Sequence, residues 1–193
     1  NFIIKKTKDE LEEVLAPKVT GLVNLDEASK DLNLDFFIFF SSAAGAFGNA
    51  GQADYATANA FMDAYAKYRN ALVASKQRQG QTLSINWPLW KEGGMQIDAE
   101  TEKMMQQSTG IIPMQTTTGI RALYQGLASR QEQVMVMEGN IEQFRHTIKL
   151  DSIEYKHPDD RFYRSLLEKI LKDELALDEF EILINMERIK NNE

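Results

Sequence analysis

Ser42, Tyr55, Asn59 and Lys18 are the side chains of this sequence whose types and spacing could do chemistry together. A phenol titrates near pH 10 in water and is a poor acid at neutral pH unless a nearby cation stabilises the phenolate. Tyr55 and Asn59 stand four residues apart, so on a helix they share one face. Ser42 closes an apolar run 13 residues before Tyr55, and Lys18 lies 24 residues before Ser42. In an open parallel sheet, ligands bind in the crevice beyond the carboxyl ends of the strands. A hydroxyl at a strand end and a phenol on the next helix would converge there, with Lys18 as the cation. The chemistry on offer is general acid catalysis. Each residue alone also admits a plainer role. Ser42 could cap a helix, Tyr55 and Asn59 could pack, and Lys18 could be a surface charge.

The elements that must position these groups can be read from periodicity. Leu11, Val14, Leu15, Val19, Leu22, Val23 and Leu25 recur at helical spacing, predicting a long helix from Lys8 to Leu32 that kinks or restarts near Pro17. Phe36, Phe37, Ile38, Phe39 and Phe40 form an unbroken apolar run, the pattern of a strand buried on both faces of a parallel sheet. Ser41 and Ser42 close it, and the Gly- and Ala-rich stretch to Gly51 reads as a loop. A second long helix is expected from Gln52 to about Lys76, with Ala56, Ala60, Phe61, Ala64 and Tyr65 on one side. Leu83–Trp87 reads as a short strand ending at Pro88. A helix around Glu100–Gln107, another over Thr116–Ser129 and a buried strand over Val134–Met137 complete the pattern. Strands alternating with helices imply crossover units, so the fold class is α/β with a parallel sheet.

About three strands are too few for a doubly wound sheet, and no G-x-G-x-x-G phosphate loop follows a first strand. Gly45, Gly48 and Gly51 read as a tight turn instead. The expected architecture is the C-terminal half of a Rossmann-like doubly wound domain over residues 1–149, with a helical tail or linker over 150–193 where charged helix formers take over.

Composition narrows the classes. The sequence is 43% hydrophobic and 26% charged, ordinary for one globular domain. A net charge of −7 disfavours nucleic acid and anionic membranes, because phosphate neutralisation needs clustered Lys and Arg. Without cysteine and with two histidines, thiolate zinc, disulfides and a metal centre are not expected. No apolar run approaches the roughly 20 residues that span a bilayer, so a cytoplasmic setting is the default expectation.

Three stretches carry a resemblance: Ala16–Gly21 (APKVTG), Phe39–Gly45 (FFSSAAG) and Gly51–Phe61 (GQADYATANAF). Together they resemble the ketoreductase domain of modular polyketide synthases, within the short-chain dehydrogenase/reductase superfamily. In most of that superfamily a Lys stands four residues after the Tyr and an Asn stands upstream. Here Asn59 follows Tyr55 and Lys18 is upstream, the exchange that marks the polyketide ketoreductases. Ser84–Trp90 (SINWPLW) with Gly93, Gly94 and Met95 is similar to bacterial synthases whose acyltransferase acts in trans.

The resemblance implies reduction of a 3-ketoacyl thioester carried on the phosphopantetheine arm of an acyl carrier protein, with NADPH as cofactor. By it, Tyr55 donates the proton, Ser42 hydrogen-bonds the same oxygen, Lys18 supports the phenol and holds the ribose, and Asn59 supports the proton relay. Trp87, Pro88 and Leu89 are implied to face the nicotinamide. Gly93, Gly94 and Met95 are implied to begin a mobile lid, and Met104, Met105 and Ile111 could line an acyl channel. Phe47 stands where producers of the L-hydroxyl carry Trp, which points to the D-hydroxyl product. The adenosine contacts are expected from an N-terminal half of the same ketoreductase, so that half and neighbouring synthase domains are expected partners and this chain alone is expected to be inactive. A noncatalytic scaffold and a free-standing reductase of a diffusible ketone are the competing readings. Asp151-Ser152-Ile153 resembles a carrier attachment site, but Lys149 stands where a carrier has Gly.

Overall fold

Thr7 starts the first helix. Its hydroxyl accepts from the Glu10 backbone N–H while the Glu10 carboxylate accepts from the Thr7 N–H, a reciprocal cap. The computed structural model describes residues 5–151, and the tail expected beyond that, with His157 and the carrier-like Ser152, lies outside the described residues. α1 (Lys8–Leu15) and α2 (Thr20–Ala28) are separate helices. Of the two expected outcomes at Pro17, the helix restarts rather than kinks, and α2 ends at Ala28, short of Leu32; proline offers no N–H to continue the ladder.

After α2 come β1 (Phe36–Ser42), α3 (Ala43–Phe47), α4 (Ala53–Ala74), β2 (Gln81–Trp87), α5 (Ala99–Thr109), α6 (Thr116–Ser129), β3 (Gln133–Met135) and α7 (Ile141–Asp151). The Gly- and Ala-rich stretch after Ser42 is thus a short helix before it is a loop. Asp98 caps α5 through the Thr101 N–H, and Gly110 closes it in the left-handed conformation that glycine adopts without a Cβ clash.

All three strands run parallel in the order β1-β2-β3, with Ser42 beside Trp87 and Asn86 beside Met135. Parallel neighbours need crossover connections, and α3–α4 and α5–α6 supply them. On one face of the sheet Phe37 and Phe39 pack with Leu22 of α2 and with Met62, Phe61, Tyr65 and Ala66 of α4. On the other, Ile38, Leu83, Ile85 and Trp87 pack with Met114 and with Ala122, Leu123 and Leu127 of α6. Helices on both faces of a parallel sheet are the doubly wound arrangement.

Two strands differ from expectation. β1 is an edge strand, with Phe36 and Phe40 more than half exposed, so its apolar run is not buried on both faces here. β3 is shorter than expected and its Gln133 and Met135 are exposed, because it forms the opposite edge. α4 also differs, since Ala64 is exposed while Asp54, Thr57, Asn59, Asp63 and Arg69 are buried.

A charged cluster joins α2, α4 and the start of β2. Asp26, fully buried, accepts from Arg69 Nε at 2.6 Å, Tyr65 Oη at 2.9 Å and Arg78 Nε at 3.2 Å. Arg69, equally buried, also donates to Gly80 O, Thr82 Oγ1 and Gln79 O, which leaves a buried charge paired and its donors used. Burial and the bond to Asp26 push the Tyr65 phenol well above its ordinary range.

Candidate active site

β1 delivers Ser42 to the carboxyl end of the sheet, where it becomes the N-cap of α3. Its Oγ accepts from the Ala44 N–H at 3.2 Å. A serine hydroxyl that accepts in this way still has its own proton to donate. Ser42 therefore fills the capping role and remains available for chemistry; the two readings are compatible.

Tyr55 lies in the first turn of α4 and Asn59 one turn later on the same face. The Asn59 Nδ2 donates to the Tyr55 carbonyl at 2.7 Å, and its Oδ1 is buried without a hydrogen-bond partner. Asp54, the residue before Tyr55, is paired with the ammonium of Lys6, which ties the segment entering α1 to the start of α4.

Lys18 sits in the turn between α1 and α2, half-buried, with Nζ 5.8 Å from the centre of the Tyr55 ring. Burial lowers its pKa, and the charge of Asp63 opposes that shift. The upstream cation and the phenol are thus neighbours, as their spacing suggested.

Close packing brings Ser42 toward that pair. Gly45 of α3 lies so near α4 that a Cβ there would stand 2.8 Å from Asn59 Cβ and 3.2 Å from Ala60 N. Ser41 Oγ donates to the Asn59 carbonyl at 3.1 Å. The strand carrying Ser42 and the helix carrying Tyr55 are therefore joined one residue before Ser42 and one helical turn after Tyr55, at Asn59.

Trp87 ends β2 beside Ser42, and its ring packs on Phe40 and Trp90 at centroid distances of 5.3 and 5.0 Å. It is buried, and its Nε1 has no hydrogen-bond partner. Pro88 and Leu89 follow it, half-buried, with the Leu89 carbonyl accepting from Met114 N at 2.7 Å. Gly93 folds back on Trp90, where a Cβ would stand 2.9 Å from that of Trp90, while Gly94 is open and Met95 exposed. Phe47 is exposed and meets Phe144 of α7 edge-on at 5.4 Å. Met104 is exposed and Ile111 buried. His146 is exposed on α7. Among the described residues no group of three or more His, Asp or Glu could hold a metal, and no helix is long and apolar enough to cross a membrane.

The sequence reading missed a polar set behind the site: the buried Asp63, Ser84 and Asn86, bonded to the exposed Gln133. Two signals for it existed. Asp63 continues the line of Tyr55 and Asn59 at one further helical turn. Thr82, Ser84 and Asn86 alternate with Leu83, Ile85 and Trp87, a pattern that reads as a half-exposed strand, yet all six are buried.

Residues 1–92 match the family model described as KR domain. The chain belongs to the ketoreductase domain family of polyketide synthases. It is 64% identical over 139 residues to the polyketide synthase PksN and 59% identical over 145 residues to PksL, both of Bacillus subtilis (strain 168). Those matches cover 72% and 75% of this chain but only 2% and 3% of the synthases, so the chain spans a small fraction of the curated relatives it matches. A solved ketoreductase domain from the bacillaene assembly line superposes with a TM-score of 0.74 at 60% identity. That match covers 76% of this chain and 35% of the other. The three-stranded parallel sheet with its flanking helices is the part of the ketoreductase fold present among the described residues.

Proposed function

We propose that this ketoreductase segment provides the proton-donating machinery for reduction of a 3-ketoacyl thioester, held on an acyl carrier protein, to the 3-hydroxyacyl thioester. The observation that carries the reading is the Lys18 ammonium 5.8 Å from the Tyr55 ring, on a helix that Ser41, next to Ser42, bonds at the Asn59 carbonyl. Tyr55 gives its phenolic proton to the carbonyl oxygen. Ser42 donates a hydrogen bond to that oxygen, because accepting from Ala44 N leaves its own proton free. Lys18 stabilises the phenolate that remains, and a half-buried ammonium does so more strongly than an exposed one because water screens it less. Asn59 fixes the first turn of α4 through the Tyr55 carbonyl, and its unpartnered Oδ1 can accept from a water that returns the proton.

The residues fit a nicotinamide cofactor. The Lys18 ammonium beside Tyr55 carries donors suited to ribose hydroxyls, and the buried Trp87 Nε1 is an unused donor at the carboxyl end of β2. NADPH, when bound, supplies the hydride. Lys18, Tyr55 and the backbone of Trp87, Pro88 and Leu89 would hold its nicotinamide end, and other parts of the parent polypeptide would hold the rest. Phe47, Gly93, Gly94 and Met95 would border the acyl arm, with the D-hydroxyl product expected from Phe47 in place of Trp.

Tyr55→Phe tests the reading in the ketoreductase that carries this segment. Turnover of a carrier-bound 3-ketoacyl thioester should fall by about 10²-fold or more, with NADPH affinity retained. Turnover near that of the parent would refute Tyr55 as the acid. Comparing the carrier-bound substrate with the same free acid tests the partner, and equal efficiency would point to a diffusible ketone. Chiral chromatography of the product reads its handedness.

A further inference from the structure

We infer that Asn86, braced by Asp63, is the positioning residue that sets the place of Ser42. The inference rests on the ketone-reduction reading and names how that site is held. Asn86 is fully buried on β2. Its Nδ2 lies 2.9 Å from the Ser42 carbonyl, 3.1 Å from Ser41 Oγ and 2.8 Å from Asp63 Oδ2, and its Oδ1 accepts from Gln133 Nε2 at 2.6 Å. The second Asp63 oxygen accepts from Ser84 Oγ at 2.6 Å. One side-chain amide is thereby held from α4 and β3 while it grips both serines that end β1.

The grip extends to the phenol's helix. Ser41 Oγ donates onward to the Asn59 carbonyl, and Asn59 Nδ2 donates to the Tyr55 carbonyl. Asp63 stands two helical turns beyond Tyr55, and its charge also favours the protonated form of Lys18. Ser42, Tyr55 and Lys18 are therefore all referred to the Asp63–Asn86 pair. Apolar side chains could fill this space at lower desolvation cost, whereas a satisfied polar network fixes one arrangement. That property matters at the carboxyl end of β1, because the strand has no neighbour on its outer side among the described residues.

The test is a double-mutant cycle in the ketoreductase that carries this segment. Asn86→Ala should lower kcat by about tenfold with KM changed less than about twofold, since a misplaced hydrogen-bond donor weakens the transition state more than substrate binding. In the Ser42→Ala background the same change should cost less than about twofold, because there is no longer a hydroxyl to misplace. An equal loss in both backgrounds would overturn the proposal. Asp63→Asn keeps the shape but turns an acceptor into a donor facing Asn86 Nδ2, and it should show the same non-additivity. Gln133→Ala, at the exposed edge, loosens Asn86 from the other side and serves if the buried variants fail to fold. Hydrogen exchange at the Ala44 amide, which Ser42 Oγ holds, should quicken by about tenfold in each folded variant. Unchanged exchange in all of them would refute the positioning role. A parent without ketoreductase activity whose variants still quicken that exchange would sink the reduction reading and leave the positioning intact.

Discussion

Lys18 illustrates at the scale of one residue how function and stability pull apart. Burial lowers its pKa and Asp63 only opposes the shift, so the folded state holds a charged group where an uncharged one would be favoured. Lys18→Met is therefore expected to abolish most turnover, by about 10²-fold, while leaving thermal stability unchanged or raised. The sign of the pH dependence follows. The folded pKa lies below the reference value of 10.5, so between the two the unfolded chain binds more protons and stability rises with pH. Below that window the burial cost is present in full. The advantage of the Met variant, measured by urea unfolding, should shrink as pH approaches 10.5, and a constant difference would show that burial of the charge is not its cause. The pairing of Tyr55 with Lys18 was legible in their types and spacing. Asn86 was not, because its alternation with Ile85 and Trp87 reads as a solvent-facing position, and the sequence gives no sign of which carbonyls lie opposite.

At the scale of elements, the break between α1 and α2 and the short α3 are the features that make the site. Pro17 was visible in the sequence, but whether a helix kinks or stops there depends on what each half packs against. Ser42 reads as the end of a strand from the apolar run before it. Its capping role was open as an alternative in the sequence, and which helix it caps shows only when Ala43–Phe47 is seen coiled. Gly45 permits that approach. Gly45→Ala would place a methyl group against Asn59, so α3 must shift, and a loss of about 1–3 kcal/mol in unfolding free energy is expected. Turnover should fall further than Asn86→Ala alone lowers it, since both ends of the Ser42 cap move. Stability and turnover near those of the parent would mean that α3 has room to move without cost. Away from the site, Arg69→Met should cost about 3 kcal/mol, the low end for a broken buried ion pair, because Arg78 remains to hold Asp26.

At the scale of the whole fold, the described residues form a three-stranded sheet in which β1 and β3 are the edges. Phe36–Phe40 reads as a strand covered on both sides, and the structure covers one side with α2 and α4 but leaves Phe36 and Phe40 more than half exposed on the other. Sequence pattern records what surrounds a strand in its complete setting, whereas the described residues hold only part of it. The expectation of a double burial and the observation of an open edge would be reconciled by an element outside the described residues that lies over Phe40, next to its contact with Trp87. Phe40→Ser tests this in the parent polypeptide. If the ring is covered there, the substitution should cost about 3 kcal/mol or more, as for a large aromatic lost from a core. If it is as exposed as in this segment, the cost should stay near 0.5 kcal/mol, as for surface changes. The same substitution reports on the site, because Phe40 supports Trp87 and Trp87 lies beside Ser42 in the sheet. A large stability loss with turnover per folded molecule preserved would place the covering element over the strand's apolar half and away from the crevice where Tyr55 acts.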